Sequence, residues 1–294
     1  MSNQENLSKL QKNSVIGGIL AISFAGWLFL FNMDSNMSQM NMNMEKDSGM
    51  KMDMKKDSGM KMDMEKDSSW LPTTYWMPPM DNNWVTNDFY QLIMMWTIMM
   101  IAMMSPSIIP TVLMFATVNK SKQKNNLQFT PTYIFYFGYL IAWIIYSIII
   151  STIQYPLHQV SLMNPMMSSI NNYLSGIILI IAGIYQLTPY KNICLDKCRS
   201  PLSLVMAKWK DGNIGALRMG LGHGFYCVFC CWFLMAILLV AGVMNLTFVI
   251  ALTIFVLLEK LVITPTSFEK NFQKLITIIP AIGFILSGIY FLFI

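Results

Sequence analysis

The residues in this sequence that can do chemistry are soft metal ligands. Residues 40–69 read MNMNMEKDSG, MKMDMKKDSG, MKMDMEKDSS, one ten-residue unit repeated three times. Each unit sets methionines at i, i+2 and i+4: Met40, Met42 and Met44; Met50, Met52 and Met54; Met60, Met62 and Met64. In an extended chain, side chains two apart fall on one side, so each unit presents three thioethers together. A thioether is neutral, has no proton to lose and forms no disulfide, which suits Cu(I) or Ag(I) in an oxidising compartment. A polar linker of Ser, Gly, Lys and Asp has no need of that cadence.

A second constellation lies in Met219-Gly-Leu-Gly-His-Gly-Phe-Tyr-Cys-Val-Phe-Cys-Cys-Trp232. With His223 at zero on a helical wheel, Cys227, Cys230 and Cys231 fall at about 40°, −20° and 80°. An imidazole and three thiols therefore share one face. A lone membrane cysteine is explained by packing, whereas four donors on one face point to a metal. Cys194 and Cys198, in Cys-Leu-Asp-Lys-Cys, add a second thiol pair. Thiolate and imidazole bind Cu(I) or Zn(II) without choosing between them, and the methionine repeat favours copper. Gly220, Gly222 and Gly224, at alternate positions, are expected to let another backbone come close.

Weaker signals surround these two. Met94, Met95, Met99, Met100, Met103 and Met104 lie in the second apolar stretch, and the last five spread over half a helix circumference, too broad for one ligand stripe. Methionine is an adaptable core filler, so packing is the default, with Met99, Met100, Met103 and Met104 as candidate accessory ligands. Pro106 and Pro110 follow and should kink the helix and free carbonyls. Glu259 is a further candidate accessory residue. It and Lys260 also fit a pair that snorkels into headgroups.

The elements that must position these residues are membrane helices. Of the 294 residues, 55% are hydrophobic and only 12% charged, about half the charge of a soluble domain, and mean hydropathy is +0.49. An ordinary soluble enzyme is excluded. The net charge of +5 is not a nucleic-acid footprint, because no zinc-finger spacing or aromatic-basic module accompanies it. No nucleotide motif occurs either, so a pump is not expected.

Seven apolar stretches qualify or nearly qualify as spans: 15–31, 89–116, 132–153, 173–188, 219–243, 246–263 and 275–294. The expected fold is all-α, a polytopic helical bundle in the lipid bilayer, with one N-terminal anchor and a six-helix core. The chain divides into a cytoplasmic tail and anchor (1–32), an external methionine-rich segment (33–69) with the composition of disorder, an interfacial aromatic and proline linker (70–88), and a metal-binding core (89–294). The first span is expected to be an anchor, since no small-residue cleavage pattern follows it.

Orientation follows the positive-inside rule. A cytoplasmic N-terminus keeps Lys120, Lys122, Lys124, Lys191, Lys197, Arg199, Lys208, Lys210, Arg218, Lys260, Lys270 and Lys274 inside. The methionine repeat and the C-terminus then lie outside the cell membrane. All five cysteines fall on the cytoplasmic side or in the cytoplasmic half of a span, where thiols stay reduced.

Several of these stretches resemble the predicted metal-binding integral membrane proteins. The resemblance rests on Ala182-Gly-Ile-Tyr-Gln-Leu-Thr-Pro-Tyr-Lys191 with Cys194, Cys198, Arg199, Ser200 and Pro201, and on the His-Gly-x-Tyr-Cys-x-x-Cys-Cys-Trp-x-Leu-Met run ending at Met235. Ala102-Met-Met-x-Pro106, Gly242-Val-Met-Asn-Leu246 and Leu258-Glu-Lys260 add to it. It covers residues 89–263 and implies a multi-pass helical fold with copper-chaperone behaviour. It points to His223, Cys194, Cys198, Cys227, Cys230, Cys231 and Glu259. Phe229 departs from the pattern, which has glycine before the paired cysteines.

The expected function is copper handling: the external repeat captures Cu(I), and the His/Cys site binds it or relays it to a copper enzyme or copper-carrier protein. Two other readings stand beside it. One is a thiol oxidoreductase using Cys194/Cys198 and Cys227/Cys230, although no thioredoxin-like strand pattern surrounds them. The other is an accessory subunit of a membrane copper-enzyme complex.

Overall fold

A computed structural model describes residues 12–35, 86–124, 131–159, 171–199, 209, 212–242, 245–261 and 267–293. The methionine repeat and the aromatic linker up to residue 85 lie outside the described residues. The elements are α1 (Lys12–Ser35), α2 (Thr86–Lys124), α3 (Thr132–Gln159), α4 (Asn172–Leu187), α5 (Pro189–Arg199), α6 (Gly212–Ala236), the single turn α7 (Leu238–Ala241), α8 (Leu246–Leu261) and α9 (Ser267–Phe293). Among the described residues every element is helical.

Five helices are long and apolar enough to cross a membrane, within α1, α2, α3, α6 together with α7, and α9. The pair α4 and α5 makes a sixth if it counts as one broken span. The stretch expected to be the sixth span is the 16-residue α8, about 24 Å long and shorter than the roughly 30 Å hydrocarbon core.

The break between α4 and α5 has a local cause. Thr188 precedes Pro189, and a residue before proline is pushed out of the helical region. Thr188 is accordingly extended, at φ −71° and ψ 146°. Proline is well suited to the first position of the next helix, and α5 leaves α4 at 67°. That bend turns Lys191, Cys194 and Cys198 away from the line of α4.

Close packing uses glycine. A Cβ at Gly220 would strike the Phe135 carbonyl, and one at Gly224 the Tyr139 backbone and Ala142, while Gly138 of α3 lies against Leu217. The α3–α6 contact is thus a glycine pair four apart, not the alternating triplet expected, since Gly222 faces open space. Gly176, Gly183 and Gly288 do the same for α4 against α9.

The core between these helices holds Trp96, Met99, Met100, Met103, Met104, Phe115, Phe135, Tyr139 and Trp143, all at most 1% exposed. Met94, by contrast, faces outward at 58%. Pro106 has no N–H to give the Ala102 carbonyl, and Ser23 of α1 donates its hydroxyl to that carbonyl at 2.8 Å.

Candidate metal centre

Helix α6 carries the central donors. His223, Cys227, Cys230 and Cys231 are all buried, as the shared face requires. Phe229 points away at 54% exposure, so its ring does not crowd them, and its carbonyl accepts the Tyr185 hydroxyl. The Cys230 and Cys231 sulfurs both donate to the Cys227 carbonyl, at 3.1 and 2.9 Å. The two thiols therefore lie back along their own helix.

The bend before α5 brings Cys198 to this face. Its sulfur is 3.9 Å from that of Cys230, and it also interacts with Cys227. Cys194 is half-buried on the same short helix, and all five cysteines are free.

His223 stands slightly apart. Its ring lies between Phe135 and Tyr139, with centroids 6.3 and 6.1 Å away. Its Nε2 is 3.4 Å from the Thr111 hydroxyl, and its Nδ1 is buried without a hydrogen-bond partner. An orphaned ring nitrogen in a dry core is costly and is a free donor for a metal. Among the described residues no three His, Cys, Asp or Glu side chains converge at metal-binding distance. The donors are gathered on one region of the core without being closed around a point.

Charge reaches the site from α8. Lys260 places its Nζ 2.8 Å from the Cys227 sulfur, 3.6 Å from the Met104 sulfur and 3.5 Å from the Ser107 hydroxyl. Tyr139 lies on the other side of Cys227, its hydroxyl 3.2 Å from the sulfur and 3.2 Å from the Met104 carbonyl. The neighbouring Glu259 does not join the cysteines. It is buried in an ion pair with Lys191 of α5 and accepts from Gln186 at 2.8 Å. Neither member of the Glu259–Lys260 pair snorkels: their exposures are 2% and 8%.

The copper chaperone family PpoB2 has a family model that matches residues 93–285. The chain belongs to this family. No curated protein and no solved structure matches it. The PpoB2 match contains all five cysteines, His223, Lys191, Glu259, Lys260 and Met99 to Met104, and it leaves out α1 and the methionine repeat. The PpoB2 core is thus the part of this chain that holds the thiols.

Sequence reasoning missed three members of this neighbourhood. Tyr139 looked like one more aromatic in an apolar run. Lys260 reads from sequence as either an interfacial or a functional residue, with nothing to name its partners, and Lys191 only as part of a motif. The available signal was a lysine beside an apolar run of α8, whose charge needs a partner.

Proposed function

We propose that this copper-handling membrane protein captures Cu(I) on the repeat of residues 40–69 and passes it to the thiols of the core, which hand it to a copper enzyme or carrier. The ligands in this reading are Cys198, Cys227, Cys230 and Cys231, with Cys194 and His223 beside them. The observation that carries it is the approach of Cys198 to Cys230, from two helices brought together by the Thr188–Pro189 bend. Sulfurs on a trigonal metal with bonds of about 2.3 Å lie roughly 4.0 Å apart, and these two are 3.9 Å apart. Cys227, which interacts with both Cys198 and Cys230, is the natural third.

Copper here is cargo, and the site suits cargo. Thiols tied to a backbone carbonyl and a histidine left half-bonded are held near one another at small cost, ready to exchange ligands. Soft sulfur favours Cu(I) over harder ions, and thioethers outside with thiols inside match the redox state of each compartment. In this reading the N-terminus is cytoplasmic, and the repeat and C-terminus are extracytoplasmic.

Elemental analysis of the full-length protein purified in detergent tests this. The wild type is compared with a deletion of 40–69 and with Cys227→Ser/Cys230→Ser. The deletion lowers copper content to that of the core, and the cysteine variant loses the core copper. If no variant holds copper above a control membrane protein, the reading fails.

A further inference from the structure

The ammonium of Lys260 sits among sulfurs. It has three N–H donors and three partners: the Cys227 sulfur at 2.8 Å, the Met104 sulfur at 3.6 Å and the Ser107 hydroxyl at 3.5 Å. A lysine in an apolar core is normally neutralised by a carboxylate. Here the nearest carboxylate on the chain, Glu259, points elsewhere and is held by Lys191 and Gln186. A single positive charge enclosed by a cysteine sulfur, a methionine sulfur and a hydroxyl has the surroundings of a monovalent soft cation.

We infer that Lys260 is a tethered stand-in for Cu(I), and that copper entering the core binds between Cys227 and Met104 by displacing the Lys260 ammonium. The inference rests on the copper reading above and adds to it a first landing site and a residue that guards it. To reach a metal–sulfur length of about 2.3 Å, the two sulfurs close on the shared position by roughly 0.5 and 1.3 Å from 2.8 and 3.6 Å. The exchange is balanced: copper leaves the ligands of its carrier and remains Cu(I), Cys227 binds it as the thiolate that faced the ammonium, with no proton to release, the neutral Met104 sulfur forms the second bond, and the ammonium breaks its contacts with both.

One monovalent cation replaces another beside the same sulfur, so this step does not add a second positive charge there. Lys260 lies one residue from the end of α8 at Leu261. A change in its side-chain torsions therefore carries the ammonium toward the helix end with no movement of the backbone. When copper passes on to Cys198 and Cys230, the ammonium returns and blocks the way back.

The test is amine labelling of the full-length wild-type protein in detergent, read by peptide mass spectrometry, before and after anaerobic addition of Cu(I) as its acetonitrile complex. Bound copper is measured on the same samples. Lys260 is 8% exposed, so its release should raise its labelling about tenfold, toward that of a free side chain. Lys191, buried against Glu259, is the internal control and stays unlabelled. In Cys227→Ser the copper-dependent rise disappears.

Copper that binds while Lys260 labelling stays low overturns the exchange and leaves the copper reading intact. A rise at Lys191 in step with Lys260 also overturns it, because the bundle has then loosened as a whole. Failure to bind any copper overturns the functional reading itself, and the exchange with it.

Discussion

At the residue scale, the core holds its charges in two arrangements with different consequences. Lys191 and Glu259 form a buried ion pair, at 0% and 2% exposure. Removing one partner of such a pair leaves a bare charge in a dry environment and costs about 3–5 kcal/mol. Glu259→Gln is therefore expected to lower thermal stability in detergent by that amount. The double change Glu259→Gln/Lys191→Met recovers most of the loss, since a neutral, filled site is tolerated. Lys260 has sulfur partners in place of a carboxylate. The ligand types were legible from sequence because thiols and an imidazole three and four apart must share a helix face. The partners of Lys260 were not legible, because they come from α2 and α6, more than thirty residues away along the chain, and periodicity within one helix carries no information about the helix opposite.

At the element scale, two short sequence features do most of the positioning. Thr188–Pro189 ends α4 and starts α5 at an angle, which brings Cys198 to Cys230. A short bifunctional thiol reagent should link Cys198 to Cys230 in the wild type, and Pro189→Ala, which lets the helix run on, should lose that link, as read by peptide mapping. The glycines of α6 make the second feature. Gly224→Val forces a side chain into the Tyr139 backbone and is expected to destabilise by about 1–3 kcal/mol, whereas Gly222→Ala, facing open space, leaves the unfolding temperature unchanged. The apolar runs gave the helices to within a few residues at most ends. The bend escaped because a hydropathy window counts apolar residues without weighing the backbone of one threonine before a proline. The expected glycine triplet resolved into a pair because helical contacts recur every fourth residue, and the middle glycine of an alternating set turns away.

At the scale of the whole molecule, the two ligand populations occupy different parts of the chain, and only the thiol part lies within the family match of residues 93–285. A cysteine introduced at Ser48 should react with a membrane-impermeant thiol reagent added to intact cells, while the native Cys194 stays unmodified. Labelling of Cys194 with position 48 left unmodified would reverse the proposed orientation. The contact between α1 and α2 bears on how the two parts cooperate. Ser23 donates to Ala102, and Gly26 lies against the Ala102 side chain. The segment that joins these two helices is roughly fifty residues long. Its midpoint cannot travel more than about 85 Å from its anchors. With that segment on one side of a membrane, as proposed, its sulfurs are present near the core at about 1 mM, however dilute the protein is. In the proposed relay, delivery from repeat to core is then unimolecular: its rate depends on neither protein abundance nor collision, and loosening α1 would slow it while leaving every proposed copper ligand in place.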